Sequence, residues 1–255
     1  MPERGLSFGA VASAYERFRP GYPDALVDVV QDYSGRRIRT ALEIGAGTGK
    51  ATRLFAAHGV AVTATEPDPA MLEELRRHVP PSVRAVRSTF EEWPGGPTFD
   101  LAWAAASLHW TEPAGRWERV AGWLAPGGVF ASFGGPVGLV DPAVEDAVRA
   151  ARAPYLESDD VPSPDGTPPE QAMQWPGTEL ERSPWFDDVR QLVLERPLTM
   201  SASDYVGYLS TVSAYVQLPG ADRQTVLDRI LTALPTAVEV AADVVVHLAR
   251  RGTSP

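Results

Sequence analysis

Short runs of β-branched, apolar and small residues recur through the first half of the chain, each followed by a longer stretch with apolar positions at helical spacing. The runs predict strands near residues 38–44, 60–66, 83–87, 99–104 and 127–133. The other stretches predict helices near 8–18, 23–33, 50–58, 68–78, 113–123 and 141–152. Strand then helix, repeated, implies a parallel sheet. The pattern then changes: residues 153–187 carry seven prolines and a single arginine among many acids, with Trp175 and Trp185. A connection of that length is expected to be a lid, a binding loop or partly disordered. Beyond it, DVRQLVLERPL and AVEVAADVVVHLARR read as two closing strands, antiparallel to each other, with helices over 201–214 and 219–234 between them.

The stretch ALEIGAGTGKATRLF carries the first predicted strand into three glycines and then a helix. Only glycine takes positive φ freely, so this loop can turn sharply and let a ligand approach the backbone. Three ligand classes compete for it. A phosphate-binding loop needs a glycine five residues before its Gly-Lys pair and a hydroxyl after it, but Ile44 and Ala51 stand there. A dinucleotide fingerprint needs its third glycine at Lys50, and the glycine comes one residue early. What remains is Glu43, Gly45, Gly47 and Gly49 at alternate positions. VAVTATEPDPAML then predicts a second strand ending on Glu66. A carboxylate there can accept two hydrogen bonds from the vicinal hydroxyls of a ribose. Glu66 could instead cap the next helix, a task that suits Asp68 better.

These residues resemble the first motif of the class I methyltransferases that use S-adenosylmethionine. The resemblance implies a Rossmann-like, mostly parallel sheet of seven strands with helices on both faces, its last two strands an antiparallel pair. It also implies a cap from the N-terminal helices and an insertion. One domain over 1–255 is expected, with cap helices in 1–34, a cofactor core in 38–135, a lid in 153–187 and closing elements in 186–250. Glu43, Gly45, Ala46, Gly47 and Gly49 would then underlie the cofactor's methionine and ribose, with Glu66 and Pro67 on the ribose. In VRAVRSTFEEWP, Phe90 is placed to lie on the adenine, and Ser88, Thr89 or Glu91 to meet its amine; Phe90 and Trp93 as plain core is the alternative. In FDLAWAAASLHW, Ala104, Ala105 and Ala106 leave room for a cofactor, with His109 and Trp110 at the strand exit. YERFRPGYP is similar to a segment of the small-molecule branch that includes trans-aconitate methyltransferase. There the segment folds over the cofactor, which makes Tyr15 and Arg19 candidates to cover the site. The guanidinium fork of Arg19 suits the methionine carboxylate. The alternative is an apolar stripe of Tyr15 and Phe18 with Arg19 solvated.

Methyl transfer requires alignment of a nucleophile and exclusion of water, and a base only if the nucleophile must lose a proton. His109 is the best-placed candidate for either positioning or base. Tyr22, Trp110, Trp175, Tyr205 and Tyr208 are candidates to surround the acceptor, each of them equally able to be core. A net charge of −10 disfavours nucleic acid as a partner. The absence of cysteine excludes disulfides, thiolate metal sites and a cysteine nucleophile. No metal is expected, because the acidic pairs lack partners for one. No apolar run is long enough for a membrane span or signal peptide, so a cytoplasmic monomer or homodimer is expected. Two rival functions are a nicotinamide-dependent oxidoreductase and a methyltransferase fold that binds its cofactor without transferring methyl.

Overall fold

The computed structural model describes residues 6–159 and 162–252. Asp160 and Val161, within the expected lid, lie outside the described residues. A 3-10 turn (Leu6–Val11) leads into α1 (Ala12–Phe18) and α2 (Ala25–Ser34). Next come β1 (Thr40–Ile44), α3 (Lys50–Ala57), β2 (Ala61–Thr65), α4 (Pro69–His78), β3 (Arg84–Val86) and β4 (Phe99–Ala105). A turn at Leu108–Trp110 precedes α5 (Arg116–Trp123), β5 (Leu124–Gly134), β6 (Gly138–Leu139) and α6 (Pro142–Arg152). The chain continues through α7 (Gly177–Arg182), β7 (Phe186–Leu194), β8 (Pro197–Ser201), α8 (Ala202–Leu209) and α9 (Ser213–Val216). It closes with α10 (Gly220–Ala233), β9 (Ala237–Ala241) and β10 (Val244–Arg251).

Seven strands form one sheet in the order β3-β2-β1-β4-β5-β10-β7. Only β10 runs against the rest, antiparallel to both β5 and β7. The alternating pattern implied the parallel sheet, and the resemblance implied this Rossmann-like arrangement of it. The central strands are buried on both faces, as a parallel sheet under two helix layers requires. On one face Leu26, Val30 and Phe55 pack against Leu101 and Trp103; on the other Val120, Trp123 and Leu180 pack against Leu42 and Phe130. Asp68 caps α4, its carboxylate accepting from the Ala70 and Met71 amides, and Pro69 follows in the first turn. That cap relieves Glu66 of the task.

Two expectations are corrected. Each predicted closing strand is broken in two, near Arg196 and Asp243. Pro197 has no N–H to continue the ladder, and the Asp243 carboxylate takes the Arg196 N–H at 2.7 Å. Past the bend, β8 and β9 leave the main sheet and pair with β6 in a second sheet of three strands. The cap also draws on more of the chain than its expected sources. Its core is Val148, Tyr205, Tyr208, Tyr215, Val226, Ile230, Val238 and Val240, with Phe18 the contribution of α1. Most of the cap core thus comes from α8–α10, β8 and β9, including the Tyr205 and Tyr208 expected at the acceptor, while Tyr155 and Leu156 of the insertion pack against it. Phe18 fits because Gly207 lacks a Cβ, which would lie 2.5 Å from its ring. Among the described residues, no helix is long and apolar enough to cross a membrane.

Candidate functional site

A cavity of about 1290 Å³ opens at the carboxyl ends of β1, β2, β4 and β5, between the sheet and the cap. Ligands of open α/β sheets bind at this edge. The loop after β1 turns through Gly45, φ +65°, and Gly47, φ +57°. A side chain at Gly45 would put its Cβ 2.7 Å from that of Ser107, whereas nothing lies within 4 Å of a Cβ at Gly47, which faces the cavity. The Ser107 hydroxyl donates to the Ile44 carbonyl, tying the exit of β4 to the glycine turn.

Glu66 does something the sequence did not suggest. One carboxylate oxygen accepts the Gly47 N–H at 2.8 Å and the other accepts the Asp68 N–H at 2.9 Å, so Glu66 pins the glycine loop to the start of α4. It still lines the cavity, where each oxygen keeps a second lone pair. Burial pushes its carboxyl up to about 7, against the pull of those two amides.

Glu43 lies deeper. It is fully buried beneath the glycine turn, accepts the Thr52 hydroxyl, and reaches only a side cavity of about 70 Å³. Burial, with Glu66 nearby, pushes its carboxyl up to about 8. Folding therefore takes up a proton on Glu43 between its usual value and about 8; that contribution to stability is whole below the usual carboxylate range and is lost as pH rises through 8. The melting temperature of the wild-type protein should fall between pH 7 and 8.5, and the slope should flatten in Glu43→Gln. Both melting curves follow this by circular dichroism, and an undiminished slope in the variant would show that Glu43 is not the titrating group. His109 and His247, each pushed down to about 4 by burial, act in a lower window. Their contribution is whole above the usual histidine value and is lost on acidification.

The cavity brings together Tyr15, Arg19, Gly45, Ala46, Gly47, Glu66, Pro67, Phe90, Glu91, Ala105 and His109, with Trp110, Trp175, Tyr205 and Tyr208. Four expected residues stand elsewhere. Glu43 and Tyr22 face the side cavity, Tyr22 edge-on to Phe133 at 5.1 Å. Ala104 is sealed in the sheet core, because only the end of β4 reaches the cavity. Gly49, φ +85°, starts α3, and a Cβ there would lie 3.1 Å from Leu75, so it serves packing between α3 and α4. Lys50, where a phosphate loop would aim its cation, instead donates to the Glu16 carbonyl at 2.6 Å and holds α1.

Arg19 is not solvated. Its Nε donates to the Thr211 hydroxyl at 2.9 Å and Nη2 to the Thr211 carbonyl at 3.0 Å, while the guanidinium lies over Tyr15 and Tyr208. Two of its five donors are thus committed to the cap, and three remain for a ligand. The His109 ring lies against Trp110, tilted by 48° with ring centroids 4.4 Å apart, and has no hydrogen bond to another described residue. Residues the sequence reading missed include Gly134 to Val137 at the exit of β5, Leu209 and Val212 of the cap, and His247, which donates to Gln191 at 2.8 Å. The Gly134-Gly135 pair was a usable signal for the first group; the others carry none, since chain folding alone brings them to the cavity.

Residues 41–128 match the family model of a methyltransferase domain. An uncharacterized methyltransferase of Mycobacterium tuberculosis is 40% identical over 127 residues, 49% of this chain and 51% of that protein. The chain thus spans about half the length of the curated relatives it matches. Among solved structures, a chain from Anaeromyxobacter dehalogenans assigned to the type II methyltransferases is 27% identical, with a TM-score of 0.65, covering 91% of this chain and 98% of the other. A Haemonchus contortus phosphoethanolamine N-methyltransferase, solved with phosphomonomethylethanolamine and S-adenosylhomocysteine, shares the fold at 15% identity and a TM-score of 0.52, covering 96% of this chain and 58% of the other. The fold is therefore the Rossmann-like one of the class I methyltransferases. This chain carries their methyltransferase domain, whose cofactor is S-adenosylmethionine. The residues fit that cofactor: an open glycine cradle, a carboxylate at the end of β2, and small residues at the exit of β4.

Proposed function

We propose that this protein transfers a methyl group from S-adenosylmethionine to a small-molecule acceptor. The observation that carries the reading is one continuous cavity holding the glycine cradle and Glu66 at one end and an aromatic cap wall at the other. When bound, the cofactor supplies a methyl carbon on a sulfonium; the acceptor's lone pair bonds that carbon, the C–S pair returns to sulfur, and S-adenosylhomocysteine leaves. Glu66 holds the ribose hydroxyls and Phe90 bounds the adenine. Arg19, from the YERFRPGYP segment that supports the small-molecule branch, meets the methionine carboxylate with the donors it has left.

His109 serves as a neutral hydrogen-bonding group that orients the acceptor. A side chain held near 4 is a weak base at neutral pH, so positioning is favoured over proton abstraction. Any proton lost by the acceptor then passes to water. The test is thermal: S-adenosylhomocysteine should raise the melting temperature and NAD and ATP should not, since a ligand of the native state stabilises it by mass action. A response to NAD alone would overturn the reading. Turnover of labelled S-adenosylmethionine with an acceptor panel separates transfer from binding without chemistry.

The stretch 153–187 acts in this reading on the acceptor. Its described part is held in place: Asp165 accepts from Ser163, Thr167 and Thr178, and Leu180 is buried against the sheet. Trp175 lines the cavity and lies under the Arg116 guanidinium, 5.5 Å from its ring centroid. Trp175→Ala should leave S-adenosylhomocysteine affinity nearly unchanged and raise the acceptor's KM severalfold. Equal losses in both constants would move Trp175 to the cofactor side.

A further inference from the structure

We propose that the acceptor is an uncharged, largely apolar molecule of drug-like size bearing a hydroxyl, bound in the half of the cavity walled by Val137, Val148, Tyr205, Tyr208, Leu209 and Val212. This rests on the methyltransferase reading and narrows it. Size comes first. A single drug-sized ligand occupies a pocket of roughly 300–1,000 Å³, and the cavity of about 1290 Å³ leaves room for a second molecule beside the cofactor.

Charge decides the class. Among the described residues, the ionic side chains that reach this half are Glu145, Arg149, Arg152 and Asp159. Each of them already has an ionic partner within the protein. Arg152 and Asp159 pair at 2.5 Å, and Asp159 spends its other oxygen on the Tyr215 hydroxyl at 3.1 Å. Arg149 divides its guanidinium between Glu145 at 3.0 Å and Asp146 at 2.6 Å. An anionic acceptor would find no uncommitted cation here and an ammonium no uncommitted carboxylate, so either would be desolvated without compensation. Arg19 has no carboxylate partner among the described residues, but the cofactor's own carboxylate claims it.

The polar groups left over are uncharged. The His109 ring and the Tyr205 hydroxyl line the cavity with no hydrogen bond to another described residue, and burial keeps both in their neutral forms. A hydroxyl both donates and accepts, and so suits such partners. The surrounding wall of valine, leucine, proline and tyrosine favours a flat apolar body. A tricarboxylate such as trans-aconitate, which the N-terminal segment's resemblance would suggest, meets the opposite environment.

The test uses the full chain and three probes on one ring system: 2-naphthol, 2-naphthoate and 2-naphthylmethylammonium, with trans-aconitate as a fourth. Binding is titrated by calorimetry at pH 7.5, with and without saturating S-adenosylhomocysteine. Naphthol should bind at least about tenfold more tightly than either ion, the penalty expected for an unpaired charge. An ion binding as tightly as naphthol, tight binding of trans-aconitate, or no binding of naphthol would each overturn the proposal. Asp159→Asn frees Arg152 and should raise naphthoate affinity about tenfold while naphthol stays within about twofold. An unchanged naphthoate affinity in the folded variant would also overturn it. If that variant does not fold, the wild-type ranking decides alone. No S-adenosylhomocysteine response with naphthol preference retained would sink the methyltransferase reading and leave only the ligand class of this half of the cavity standing; the reverse pattern would sink only the acceptor class.

Discussion

Glu66→Ala should lower affinity for S-adenosylhomocysteine about tenfold to a hundredfold, because hydrogen bonds to a charged acceptor contribute roughly 1.5 to 3 kcal/mol. The loss has two sources. The ribose loses its acceptor, and the Gly47 amide, held at 2.8 Å by the same carboxylate, loses the bond that fixes the cradle. The carboxyl stands near 7 in the free protein, and ribose hydroxyls prefer its ionised form. Binding then releases a proton below 7, so wild-type affinity should weaken as pH falls from 8 to 6. In the variant that dependence should vanish. Calorimetry across this range checks both parts; a folded Glu66→Ala protein with wild-type affinity and slope would remove Glu66 from the site.

Arg116→Met should cost about 3 to 5 kcal/mol of stability, as removal of one partner of a buried ion pair does, and lower the melting temperature by roughly 10 °C at this chain length. Arg116 is 2% exposed. Its Nη2 donates to the Thr111 carbonyl at 2.8 Å and Nη1 to Glu179 at 3.1 Å, and Trp117 donates to the same carboxylate oxygen at 3.0 Å. It thereby clamps the His109–Thr111 turn to α7, so its loss should also raise the acceptor's KM by loosening both walls. Glu179 would be left without its counter-charge, and for that reason Arg116→Met with Glu179→Leu should recover part of the loss. Differential scanning calorimetry decides the matter: a melting temperature within a degree of wild type would mean the pair carries no net stability.

Much of the core was legible in sequence because it is governed by neighbours along the chain. Alternating strand and helix periods specify a parallel sheet; Asp68 ahead of Pro69 specifies where α4 begins; glycines at 45 and 47 specify a tight turn after β1. What those residues do to one another was not legible. Glu43 and Glu66 look alike as acids beside glycines, yet one is sealed with its carboxyl near 8 and the other stands at the cavity near 7. That difference is a matter of burial, which depends on every element packed around them.

The cap shows the same division more sharply. Nothing in the helical pattern of 201–234 distinguishes a helix flanking the sheet from one facing the cofactor, and the bend at Arg196 and Asp243 that lifts β8 and β9 off the sheet joins residues 47 positions apart. Arg19 reaches Thr211 across 192 positions and Arg116 reaches Glu179 across 63. The sequence by itself determined the periodic elements, the glycine turn and the cofactor class that turn admits. Only the tertiary structure decided which charges are paired, which tyrosines face the cavity and so what kind of acceptor it can hold, because pairing and burial are set by distances in space that spacing along the chain does not encode.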